Sequence, residues 1–155
     1  MFRYGVARSF TDNGDGTVSD NATGLMWEKH SDDGSIHDVH NLYTWPDAFE
    51  EKVAKLNSDN FAGYDDWRLP NRFELDTLVN LGASDPATYP QFHSGCAPAC
   101  TVLTCSCTGQ ENHWSSTTDH APPEYAWSVR FNTGYTDRNP KALASFAVRV
   151  VRSGI

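Results

Sequence analysis

At 155 residues the chain has the length of one compact domain, enough to bury a core without metals or disulfides in its place. Five Trp, eight Phe and an ordinary charged fraction of 21% exclude a disordered or low-complexity chain. The formal charge of −8 disfavours nucleic acid as a general partner, yet from Tyr125 onward five Arg or Lys face Asp137 alone, so that stretch carries +4 against −12 for the rest.

A cationic C-terminal face is therefore expected, able to meet an anionic ligand. No apolar run approaches the ~20 residues that span a bilayer, and MFRYGVARSF lacks the apolar region of a secretory leader. Either the protein stays in its cell, or a leader is missing, or it is exported as part of something larger. Residues 1–155 are read as a single domain.

FTDNGDGTVSDNATGLMWEK alternates turn chemistry with short strand-like pieces and predicts a hairpin-like start. Asp12, Asn13, Asp15 and Asp20 are an oxygen-rich set, so Asp12, Asp15 and Asp20 form a calcium candidate. Their spacing departs from the D-x-[DN]-x-[DN]-G loop, and turn-forming carboxylates are the alternative reading. Asn21-Ala22-Thr23 matches a glycosylation sequon.

From Thr44 the period becomes helical, with Trp45, Ala48, Phe49, Val53 and Leu56 on one face and Glu50, Glu51, Lys52 and Lys55 on the other. Thr44 serves as cap, with Pro46 in the first turn. After Asp65-Asp66, a turn or a metal or acid pair, and the core candidate Trp67, a second helix is predicted at Asn71. There Asn71 and Glu74 form a capping box and Leu75, Leu78 and Val79 a buried stripe.

Residues 82 to 112 show no period and read as a long ordered loop. It holds all four cysteines. Cys105 with Cys107 would be badly strained, leaving 96–105 with 100–107 or 96–107 with 100–105 as disulfide pairings; zinc and free thiols are the alternatives.

NHWSSTTDH, residues 112 to 120, carries the residue types of a hydrolytic triad. In a strand, however, His113 and Ser115 share a side that Ser116 does not, and no glycine elbow presents the serine. Trp114 and Trp127 are expected in the core. Tyr125 to Phe131 alternates, NTG turns, and FAVRVVR closes with a second alternating run, in which Arg149 and Arg152 read as exposed edge residues or anion ligands. The sum is an α+β fold: two helices, a mainly antiparallel sheet and a long loop region.

DNGDGTVSDNATGLMWEK, TWPDA, GYDDWRLPNRFEL, CTVLTCSCT, HWSSTT, AWSVRF and the terminal VRVVR together closely resemble the Lcl C-terminal-like domain of bacterial and phage surface proteins. The resemblance implies a C-type-lectin-like fold and kinship with formylglycine-generating enzymes through Arg68-Leu69-Pro70 and Glu74. No cysteine follows Cys107, so a thiol-based activity of that kind is not expected.

It also implies display at a cell or virion surface, with a protein or glycan as ligand, and kinship with proteins that retroelements diversify. Such variation would interleave with W-S-S-T, A-W-x-V-x-F and V-R-x-V-R. The expected function is non-enzymatic recognition through Asn112, His113, Asp119, His120, Arg130, Asn132, Tyr135, Asp137, Arg138 and Asn139, whose types suit an adaptable binding surface. An adhesin or tail-fibre tip built for trimerisation is the alternative, then a fold-related enzyme. No cofactor is expected apart from the calcium candidate.

Overall fold

A computed structural model describes residues 8–153, so most of the N-terminal stretch read for a leader, residues 1–7, lies outside it. Strands β1 (Phe10–Asp12), β2 (Thr17–Asp20) and β3 (Leu25–Glu28) form the expected meander. Its turns are built by carboxylates: Asp12 accepts from the Gly14 amide, Asp15 from Thr17, and Asp20 from the amides of Ala22 and Thr23. The terminal strand β7 (Val151–Ser153) joins them, giving the antiparallel order β1-β2-β3-β7.

The first helix opens as the sequence predicts, with Thr44 capping the Asp47 amide and Pro46 in the first turn. It runs through α1 (Trp45–Asp47), a π-helical stretch (Ala48–Val53) and α2 (Ala54–Ser58). That widened middle changes which side chains face inward. Lys52, expected among the solvated residues, is buried together with Ala48 and Leu56.

The second helix is shorter than predicted. The capping box of Asn71 and Glu74 is complete, but α3 spans only Arg72–Asp76 before passing into turns. Leu75 and Leu78 are buried and Val79 partly so. Arg68 and Glu74 of the R-L-P-x-x-x-E stretch form a bidentate pair at 2.7 Å. Pro70 accepts from the Ser116 amide, which docks this corner on the second sheet.

That second sheet consists of β4 (Asn112–Thr118), β5 (Tyr125–Arg130) and β6 (Tyr135–Pro140), all antiparallel. NTG makes the β5-β6 turn, with Gly134 at φ +84°. A bulge between Trp114 and Thr118 shifts the β4-β5 register, and there the Ser115 hydroxyl donates to Trp127 O at 2.6 Å.

FAVRVVR departs from its expected alternation: every residue from Ala147 to Arg152 is buried, and only its end is strand. It lies between the sheets. Trp114 N donates to Ala147 O and Arg68 N to Val151 O on one side, while Glu28 N donates to Val150 O on the other. A run covered on both sides has no solvent face to mark with polar residues.

Arg149 and Arg152 are therefore not exposed. Arg149 gives its guanidinium to Glu28 O, Cys107 O and Thr108 Oγ1, and Arg152 pairs with Asp66 while stacking on Tyr64. The cationic C-terminal face loses two of its five charges.

Two apolar clusters flank this run. One holds Met26, Leu56, Trp67, Leu69, Trp114, Ala126 and Val150; the other holds Val18, Trp27, Leu75, Phe92, Val129, Phe131 and Val151. Trp67 and Trp114 are core residues as expected, their indoles bonded to Phe61 O and Tyr43 O. Trp127 is only half-buried, with the Arg72 guanidinium 4.2 Å above its ring.

The stretch from residue 82 to 112 contains one short 3-10 turn, Pro90–Phe92, and is braced by disulfides Cys96–Cys107 and Cys100–Cys105. One of the two pairings left open by the sequence is thus realised, and none of the four thiols is free.

Candidate functional site

Arg130 ends β5 and faces Asn112 across the β4-β5 register. Asn132 follows two residues later in the turn, and Gln110, Glu111, Ser145 and Phe146 complete a polar pocket of about 250 Å³ around these three. Residues from the long loop, the sheet and the C-terminal run meet there because the last of these pairs with β4. Arg130 is exposed and Glu111 belongs to the same lining, so the pocket offers donors and acceptors to a ligand able to match both.

A second group gathers at the other end of the sheet. Arg138 donates to Asp119 at 2.7 Å, and that hydrogen bond holds the Asp119 carboxyl below its usual range. His120 is exposed beside them. Tyr135 and Asp137 are exposed on the edge strand β6, while Asn139 is half-buried and donates to Ser128 Oγ at 3.2 Å. The ten residues chosen from sequence thus divide between a pocket, a loop corner and an open edge.

Two of them are not exposed as the sequence reading expects, although Asn112 still lines the pocket. Asn112 is only 7% exposed and His113 is fully buried, because the C-terminal run covers the start of β4. His113 Nδ1 bonds Glu111 O and its ring sits edge-on to Phe131. The Ser115 hydroxyl is committed to Trp127 O, so the two residues that share a side of the strand make no nucleophile-base couple.

The calcium candidates are occupied by turn duties and cations. Asp12 pairs with Lys29 and Asp20 with Arg8, while Asp15 bonds Thr17. These carboxylates serve three separate neighbours.

A buried ionic cluster was not foreseen. Glu28 Oε2 accepts from Lys52 at 2.7 Å and lies 2.6 Å from His37 Nδ1, while Oε1 accepts from Val150 N and lies 3.4 Å from His30 Nε2. Burial opposes the Glu28 charge, but Lys52 and the two histidines outweigh it and hold the carboxyl well below its usual range. Burial, then the nearby Arg149 charge, pushes His30 down to about 4; burial likewise lowers His113 far below its ordinary value. A lone Glu in LMWEK and a Lys on a helix carry no local sign of pairing 24 residues apart.

A third feature was also missed: Asp32, Asp38 and His40 bring one ligand-type atom each within 4.8 Å of one another. The D-x5-D-x-H spacing is visible in the sequence but lies in an aperiodic loop.

The model of the Lcl C-terminal domain family matches residues 16–152, and the chain belongs to that family. No curated protein matches it.

Proposed function

We propose that this Lcl C-terminal domain is a non-enzymatic recognition module that binds a protein or glycan at a cell or virion surface. The observation that carries the reading is the pocket in which Arg130, Asn132 and Asn112 meet Gln110 and Glu111. Concave polar sites with a few convergent groups fit ligands that carry several hydrogen-bonding functions.

The exposed β6 edge and the Asp119–Arg138 corner extend the contact area on a frame whose strands are already paired. Positions Tyr135 to Arg138 are all exposed, so retroelement diversification there would alter contacts and leave the core alone. The C-type-lectin-like kinship belongs to the same proposal. No helix among the described residues is long and apolar enough to cross a membrane.

The test is retention of the labelled domain on a broad glycan array and on intact cells, wild type against Arg130→Ala/Asn132→Ala. Retention should fall at least tenfold with the near-ultraviolet dichroism unchanged. Equal retention by the double variant removes the pocket from the function. A strict trimer by light scattering whose subunit contacts cover the pocket would favour the tip-module alternative.

A further inference from the structure

The loop from Ser31 to His40 is held on two sides. Asp32 exchanges backbone hydrogen bonds with the disulfide loop, donating to Cys100 O at 3.0 Å and accepting from Ala99 N at 2.7 Å. Asp38 is buried, and its carboxylate accepts from the amides of Gly34 and His40, at 2.6 and 2.8 Å. These bonds use one lone pair on each oxygen and leave others available.

His40 projects from the end of this loop, its side chain 77% exposed, with Nε2 3.4 Å from Asp32 Oδ1. That separation exceeds the ~2.7–2.9 Å of a charge-assisted N–H···O bond. It matches the edge of a tetrahedron around an ion with ligand bonds of roughly 2.0–2.1 Å, which is about 3.4 Å. Asp38 offers a third carboxylate oxygen, and all three atoms lie within 4.8 Å of one another, an outer bound looser than that edge.

Asp32 and His40, though not Asp38, also line a cleft of about 410 Å³ together with Val39, Cys96, Cys107 and Glu111. An ion bound by three protein atoms there keeps a position open to the cleft. Gln110 and Glu111 border both this cleft and the polar pocket, so the open position would lie one wall away from Arg130 and Asn132.

We propose that Asp32, Asp38 and His40 form a binding site for a divalent first-row transition metal of the zinc type. One imidazole among the ligands selects against magnesium and calcium, which take oxygen sets, and two carboxylates without thiolate separate the site from the closed structural zinc sites of cysteine clusters. The cysteines of this chain are all spent in disulfides. The metal would close the 31–40 loop onto itself and offer its open position to an anionic or carbonyl group.

The experiment is calorimetric titration of zinc chloride into the whole chain, with both disulfides confirmed intact by absence of titratable thiol. Saturable binding of one zinc per chain is expected, weakened at least tenfold by His40→Ala and by Asp32→Asn. Both side chains reach solvent, so circular dichroism should report both variants as folded. Cobalt(II), as a paramagnetic probe, should shift the His40 ring protons before those of any other histidine.

Absence of saturable binding at millimolar zinc would overturn the proposal. So would an affinity unchanged by His40→Ala, or cobalt shifts appearing first at another histidine. None of these results bears on the Arg130 pocket, whose own test uses no metal.

Discussion

Replacing Lys52 with Met tests whether the buried cluster holds this fold together. Lys52 Nζ reaches Glu28 Oε2 at 2.7 Å and Ile36 O at 2.6 Å with 1% of its side chain exposed, so Met fills the volume and removes both bonds. Glu28 then keeps only His37, Val150 N and the longer His30 contact inside the protein. Leaving one partner of a buried pair uncompensated costs about 3–5 kcal/mol. For a domain of this size that is a fall in Tm of roughly 6–20 °C.

The pH dependence carries the sign. In the wild type the Glu28 carboxyl is held below its unfolded value near 4.5, so its contribution is present above that pH and is lost as pH falls through the lower folded value. Without Lys52, burial raises the folded value, and charged Glu28 becomes a cost at neutral pH that protonation relieves. The stability gap between Lys52→Met and wild type should therefore be widest near pH 7.5 and narrow toward pH 4.5, by urea unfolding. Glu28→Gln/Lys52→Met should recover part of the loss, since the unpaired carboxylate is gone while buried Arg149 gives up Glu28 as its countercharge. A single variant within about 1 kcal/mol of wild type, or a gap that does not narrow in acid, would refute the reasoning.

Four further outcomes follow from the same coordinates. His30, held neutral down to about 4 against an unfolded value of 6.5, should give stability that is complete above pH 6.5 and falls by roughly 3 kcal/mol by pH 4, with His113 adding in the same direction; a flat urea midpoint across that range would contradict it. Gly134→Ala should lose about 1–3 kcal/mol, because φ is +84° and a Cβ would lie 2.7 Å from Val79 Cγ1; an unchanged Tm would mean that the turn relaxes freely. Reducing and alkylating the four cysteines should cost about 2–5 kcal/mol and expose the 82–112 stretch to protease, whereas uncleaved protein would show that the loop holds without its bridges. Tyr135→Ala and His120→Ala should each stay within about 0.5 kcal/mol of wild type by thermal scan while weakening ligand retention, and a larger loss would place them in the frame.

What could be read from the chain was local. The Thr44 cap, the Asn71–Glu74 box, the NGDG and NTG turns and the strand pattern of Tyr125 to Phe131 each depend on residues a few positions apart. The residues misread were polar ones whose burial rests on distant partners. Lys52 has its partner 24 residues away, and Arg149 meets Glu28 O across 121 residues. Charge in a helix or terminal strand is exposed by default, because leaving water alone is costly, and only the three-dimensional partner reverses that expectation. His113 was misread for the same reason: the Ala147 segment that covers it pairs with it from 34 positions later, a distance no periodicity spans.

This placement of charge bears on the recognition role proposed for the domain. A buried pair adds little net stability over a well-packed apolar core, but it penalises every arrangement that separates its members. Here the members come from β3, the first helix and the C-terminal run, so the cluster ties these three pieces together. The tie lies away from β6, whose side chains from Tyr135 to Arg138 are exposed and contribute none of the residues of either apolar cluster. Geometry is thus specified by buried groups, away from the exposed β6 positions. If the domain binds as proposed, contact chemistry falls to positions where substitution costs the fold little, and a frame divided in this way would change what it binds without having to refold.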